Sequence, residues 1–284
     1  MLGNVALRGL AWVTRHLRRM PGRWRLVRWL DRHAARLASA GPLTFTFAPG
    51  LRMHVDPLDE NGRRALIEGF EPRDRIASNF IRILRPGDTV LDVGANAGYY
   101  TMIAALLVGH EGAVHAFEPS PAALPWLRAS VAQSPSAPIH LHPVAVTDRC
   151  GHATFHVARP ECTGYSSLRD LGDDATRQVT VPTIPLDALL ERLPPVRLVK
   201  IDVEGAELLV LRGMAGLIER DRPYIIVEVD DDFLRAQGGS AADVCSLLEH
   251  AGYTLLRIVE RGDLEPLDAP PIVRCNLLAQ PPAA

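Results

Sequence analysis

The chain of 284 residues is long enough for one large domain with an appendage, and two compact units is its upper bound. With 47% apolar and 23% charged residues it is neither disordered nor collagen-like, and a net charge of −2 gives no global field to steer it onto nucleic acid. Four scattered cysteines (Cys150, Cys162, Cys245, Cys275) without a CxxC pair exclude a disulfide scaffold, a zinc ribbon and a thioredoxin-type site, and imply a reducing, cytoplasmic compartment.

Residues 1–40 carry nine arginines against one acid, Asp31, a local balance of +8 that leaves −10 for the rest. No run reaches the roughly 18 apolar residues needed to span a bilayer. No apolar stretch with a small-residue cleavage site marks a secretory signal. Leu7, Leu10, Leu17, Leu26, Trp29, Leu30 and Leu37 recur at helical spacing. This predicts amphipathic helices over about 4–19 and 22–39, broken near Pro21-Gly22. Such an arm lies on anionic lipid at the inner membrane surface, docks a partner through its basic face, or packs as a cap on the main domain.

Residues 43–47 and 51–55 alternate around Pro49-Gly50 and predict a β-hairpin. Helices are expected over 61–69 and 73–84, the second opening at Pro72. Residues 1–60 thus form an arm with a hairpin, and 61–280 a main domain. In that domain strands at 89–93, 113–117, 139–146, 196–202, 224–229, 253–259 and 272–279 alternate with helices at 98–108, 121–132, from 206, and 240–250. Extra strands at 152–157 and 178–182 flank a polar stretch. The alternation predicts an α/β fold with a doubly wound, mainly parallel Rossmann-like sheet. The near-continuous apolar runs suit strands covered on both faces.

The sharpest local signal is Val90-Leu-Asp-Val-Gly-Ala-Asn-Ala-Gly-Tyr-Tyr-Thr101, a strand entering a glycine turn and then a helix. Glycines there let backbone approach a ligand closely. Glu118 ends the next strand, 20 residues beyond Gly98, where a carboxylate can accept from both ribose hydroxyls of a nucleoside. A nicotinamide site needs a small third residue, and Tyr99 stands there. Asp92 would repel a pyrophosphate but suits the cationic groups of S-adenosylmethionine. A NAD-type oxidoreductase and a non-catalytic α/β binding module are the alternatives.

VLDVGANAGYYT, AFEPSP and VKIDVEGAE together resemble the FkbM-type methyltransferases over about 60–280. The resemblance implies a class I, S-adenosylmethionine-dependent enzyme that methylates hydroxyls of sugars, glycans, lipid-linked or polyketide-like acceptors. It places Asp92, Gly94, Ala95, Asn96, Gly98, Tyr99, Glu118 and Asp202 around the cofactor. The family often has an Asn-Ala pair after the third strand; here Pro143-Val-Ala-Val146 leaves Ala145 at the adenine edge.

Lys200, Asp202 and Glu204 alternate at the end of one strand and would share one face. Lys200 is the only lysine among 31 basic residues. Methylating a hydroxyl needs its proton removed. Asp202 is expected to position substrate or donor, and Glu204 or a neutral Lys200 to act as base. Tyr165, Ser166, Ser167 and Glu228 are acceptor-pocket candidates. No histidine or cysteine spacing indicates a metal. Glu228 with Asp230–Asp232 is the nearest to an oxygen-rich cation site, and no metal is assigned.

Overall fold

The computed structural model describes residues 2–16, 22–37, 41–72, 74–270 and 274–282. Two helices, α1 (Leu2–His16) and α2 (Arg23–Leu37), precede an antiparallel hairpin of β1 (Leu43–Ala48) and β2 (Leu51–Val55). The expected helix ends at 17–19 and 38–39 and the break at Pro21 lie outside the described residues. Next come α3 (Glu60–Glu68) and α4 (Arg75–Ile83). Asp59 caps α3 and Asp74 caps α4, accepting from first-turn N–H groups. Asp74 rather than Pro72 therefore starts the second helix.

The main sheet begins with β3 (Thr89–Val93), α5 (Tyr99–Val108), β4 (Ala113–Phe117), α6 (Leu124–Ala132) and β5 (Ile139–His142). The single strand expected over 139–146 is two. Pro143 cannot donate to a ladder, so the chain leaves the main sheet there. Its continuation, β6 (Ala145–Val146), joins β7 (Gly151–Ala158) and β8 (Ala175–Ile184) in a separate three-stranded sheet of order β6-β8-β7. The polar excursion between β7 and β8 forms short 3₁₀ turns.

The chain returns through β9 (Val196–Ile201), α7 (Glu207–Arg212), α8 (Ala215–Asp221), β10 (Tyr224–Val229), α9 (Asp231–Ala236), α10 (Ala241–His250), β11 (Thr254–Ile258), β12 (Leu264–Pro266) and β13 (Cys275–Gln280). The start expected at 272 for the last strand lies outside the described residues. The main sheet has eight strands in the order β12-β11-β13-β10-β9-β3-β4-β5. The run from β5 to β10 is parallel, and β13 is antiparallel to both neighbours.

Alternate strand residues feed two cores. Val90, Val114, Leu198 and Ile226 pack beneath α4, α5 and the hairpin. Leu91, Val199, Ile201 and Val227 pack beneath α7, α8 and α10. The sheet is therefore doubly wound. Leu7 and Ala11 of α1 and Leu30 and Ala34 of α2 are fully buried in the first of these cores, beside Met53 and Leu66. The arm's apolar stripe is thus covered by the domain. Strand order reverses between β3 and β9, which opens a crevice beyond their carboxyl ends.

Candidate active site

A cavity of about 300 Å³ occupies that crevice. Gly94, with φ +80°, forms its floor, and a Cβ there would collide with the carbonyl oxygen of Asp202. Only glycine lets the two strand ends meet this closely. Asn96 follows in the left-handed region at φ +49°, a conformation asparagine tolerates better than most residues. Its N–H donates to Glu118 Oε2 at 2.7 Å, while the Ser120 N–H donates to Oε1 at 2.7 Å. Glu118 is buried, which pushes its carboxyl up to about 7 against the pull of these hydrogen bonds. Ala95, Tyr99 and Ala145 also line the cavity; the Tyr99 hydroxyl donates to the Gly69 carbonyl. Gly98 does not line it. A Cβ at Gly98 would lie 2.7 Å from Leu127, so this glycine seats the helix.

Asp92 and Lys200 are register partners on β3 and β9. The Lys200 ammonium lies 3.5 Å from Asp92 and 3.2 Å from Asp202. Asp92 is fully buried and also accepts from the Thr101 hydroxyl at 2.6 Å. It sits behind Lys200 and does not line the cavity, whereas Lys200 and Asp202 do. Burial alone would pull the Lys200 ammonium down, but the carboxylates of Asp202 and Asp92 outweigh it and hold it well above the usual lysine range. This pairing with two carboxylates favours the ammonium over the neutral lysine expected as a base, so of the two expected bases Glu204 fits the geometry better.

Glu204 stands past the end of β9 in the left-handed region, φ +55°. Ser167 is buried and donates its hydroxyl to the Glu204 carbonyl at 2.8 Å. Glu207 accepts from the Gly205 N–H at 3.0 Å, which fixes the other side of the turn. The Glu204 carboxyl accepts from Arg274 through Oε1 at 2.7 Å. Its Oε2 is buried without a hydrogen-bond partner among the described residues. Burial, reinforced by the Asp202 charge, pushes this carboxyl up to about 8 despite Arg274. Arg274 also donates to Glu228, whose carboxyl is raised chiefly by burial. Asp202, Glu204 and Glu228 bring oxygens within 4.8 Å of one another, and the Arg274 guanidinium bridges two of them. Asp230 and Asp231 instead serve α9, one as its N-cap and one paired with Arg235.

The Methyltransferase FkbM domain family matches residues 92–255. The chain belongs to this family. The 31-O-demethyl-FK506 methyltransferase FkbM of Streptomyces tacrolimicus is 32% identical over 206 residues, 61% of this chain and 75% of that protein. The hexuronic acid methyltransferase AglP of Haloferax volcanii is 30% identical over 166 residues, 58% of this chain and 62% of that protein. A solved FkbM methyltransferase from Methylobacillus flagellatus KT aligns with TM-score 0.44 and 15% identity, covering 72% of this chain and 50% of that one.

Most residues expected from the sequence of this FkbM methyltransferase meet at the one cavity. Gly94, Ala95, Asn96, Tyr99, Glu118, Ala145, Tyr165, Ser166, Lys200, Asp202, Glu204 and Glu228 line it; Asp92, Gly98 and Ser167 do not. Sequence reasoning missed Arg274, which sits over the Tyr165 ring at 5.6 Å and holds both glutamates. No local signal marks it, because only the antiparallel pairing of β13 with β10 brings it to Glu228. Also missed were Asn61 and Arg64 of α3, which form the opposite wall.

Proposed function

We propose that this methyltransferase transfers the methyl group of S-adenosylmethionine to a hydroxyl of a sugar, glycan, lipid-linked or polyketide-like acceptor. The observation that carries the proposal is the Glu204 carboxyl. One oxygen is held by Arg274, and the other is buried and unpartnered among the described residues. A carboxyl of that kind suits a general base, because one oxygen is left to accept a proton and burial raises its proton affinity above that of an ordinary carboxylate.

The cavity suits the donor. Glu118 at the end of β4 would accept from the ribose hydroxyls, since each of its oxygens keeps a second acceptor site beyond the backbone bond it already makes. Phe117, Val144, Ala145 and Val146 offer an apolar wall for the adenine. The carboxylate of Asp202, 3.2 Å from the Lys200 ammonium, lines the cavity and would face the cationic end. The bound cofactor supplies an electrophilic methyl group. Lys200 pairs with Asp202 and holds it in place. Glu204 takes the hydroxyl proton through Oε2, and Arg274 holds that carboxyl in place. Tyr165 and Ser166 wall the acceptor side.

The names of the two relatives, one for 31-O-demethyl-FK506 and one for hexuronic acid, favour a hydroxyl of an oxygen-rich acceptor. The test is calorimetric titration with S-adenosylhomocysteine and NADH, followed by labelled methyl transfer to uronic-acid glycosides and macrolide hydroxyls. Binding of S-adenosylhomocysteine alone and labelling lost in Glu204→Gln are expected. Binding of NADH instead, or full labelling by Glu204→Gln, would overturn the proposal.

A further inference from the structure

The arm that packs on the domain also presents a second face. On a helix of 3.6 residues per turn, Arg25, Arg28 and Arg32 of α2 fall within about 60° of one another, opposite Leu30 and Ala34. All three are exposed, while Leu30 and Ala34 are buried. Trp24 and Trp29 flank this arginine ridge and are 55% and 46% exposed. Trp12 of α1, on the side opposite buried Leu7 and Thr14, is 54% exposed. Monomeric proteins leave single apolar residues at the surface without consequence, but two half-exposed tryptophans interleaved with three arginines on one face of α2, with a third tryptophan exposed on the adjoining α1, are more than that.

We propose that this outward face of α1 and α2 docks the enzyme on an anionic lipid surface. The proposal does not rest on the identity of the acceptor or on methyl transfer. Tryptophan favours the membrane interface, where an apolar ring and a polar N–H are both accommodated. Each ring already has a polar partner beside it: Trp12 stacks on His16 at 4.3 Å, Trp29 on His33 at 4.7 Å, and Arg28 lies over Trp24 at 4.7 Å. Ring and polar partner therefore reach the same depth, as an interfacial helix requires.

Charge selects the occupant. The first 40 residues hold nine arginines against Asp31, which is paired with Arg63; Arg15 and Arg23 turn inward to Leu66 and Glu71, and Arg25, Arg28 and Arg32 carry the outward charge. The remaining chain carries −10, so an anionic leaflet attracts the arm and repels the body, which fixes the orientation. An extended nucleic acid would meet that acidic body beyond the two helices. Helix α3 packs against the arm on one side and lines the cavity with Asn61 and Arg64 on the other. The docked face therefore lies about two helix diameters, roughly 20 Å, from the cavity.

The test is flotation of the full chain with vesicles of phosphatidylcholine alone and with equal parts of phosphatidylcholine and phosphatidylglycerol, at low and high salt. Two surface variants are compared: Arg25→Glu with Arg28→Glu and Arg32→Glu, and Trp12→Ser with Trp24→Ser and Trp29→Ser. Thermal unfolding and S-adenosylhomocysteine binding should match the unsubstituted chain, which verifies folding. Flotation with the anionic vesicles only, lost at high salt, is expected. At roughly fivefold per basic side chain, the arginine variant should bind more than about a hundredfold more weakly. The tryptophan variant should also weaken, and native tryptophan fluorescence should shift to the blue with anionic vesicles. No flotation at low salt, equal flotation on neutral vesicles, undiminished flotation of the arginine variant, or preferential binding of single-stranded DNA would each overturn the proposal.

Discussion

Replacing Arg274 by glutamine isolates what the guanidinium does for Glu204. Arg274 donates to Glu204 Oε1 at 2.7 Å and also to Glu228, so its charge is shared between two carboxyls. An opposite charge within hydrogen-bond distance lowers a carboxyl pKa by about 1–3 units, and the sharing favours the lower part of that range. Removing it should move Glu204 from about 8 to about 9–10. The base works when ionised, so the rising limb of the rate profile moves to higher pH. At pH 8 the ionised fraction drops from about half to between about one-tenth and one-hundredth, a loss of roughly 5–50-fold in turnover. The loss should be regained as pH rises, with S-adenosylhomocysteine affinity little changed. The assay is single-turnover methyl transfer across pH, with donor affinity measured at each point. A loss that is the same at every pH, or an inflection that does not move, would refute the assignment of Glu204 as the base held by Arg274.

Three further outcomes are expected. Lys200→Met removes the ammonium partner of the fully buried Asp92, at a cost of about 3–5 kcal/mol in urea unfolding, and Asp92→Asn in the same chain should recover most of it; a double variant as unstable as the single one would show that the pair is not the cause. Glu118→Ala should weaken S-adenosylhomocysteine by roughly 1–3 kcal/mol, measured by calorimetry, and unchanged affinity would remove the ribose contact. Burial raises Glu207 from 4.5 to about 7, so its contribution to stability is present below about pH 4.5 and is lost as pH rises through 7. Glu207→Gln should flatten that part of the stability profile by on the order of 3 kcal/mol, and an unaltered slope in urea unfolding between those pH values would contradict it.

The legible parts of the site are those that the chain carries in one stretch. The glycine turn, Glu118 and the segment from Lys200 to Glu204 each lie at the end of a predicted strand, and the parallel order brings those ends together. The charge on Lys200 was not legible, because it depends on the register that sets Asp92 opposite it. Arg274 was not legible either. It reaches Glu228, 46 residues earlier, only because β13 runs antiparallel along β10. Pro143 was visible, but the apolar residues around it hid its effect, which is to send the chain from one sheet into another. The arm's amphipathic pattern was plain, yet periodicity alone cannot say which face the domain covers.

Ser167 closes the excursion between β7 and β8 by pairing with His156 through backbone hydrogen bonds, and its hydroxyl holds the Glu204 carbonyl. The same excursion carries Tyr165 and Ser166 in the cavity wall. Wall and base are therefore mechanically joined through one side chain. A displacement of the excursion would be felt at the left-handed turn of Glu204, and a change at that turn would be felt in the cavity wall.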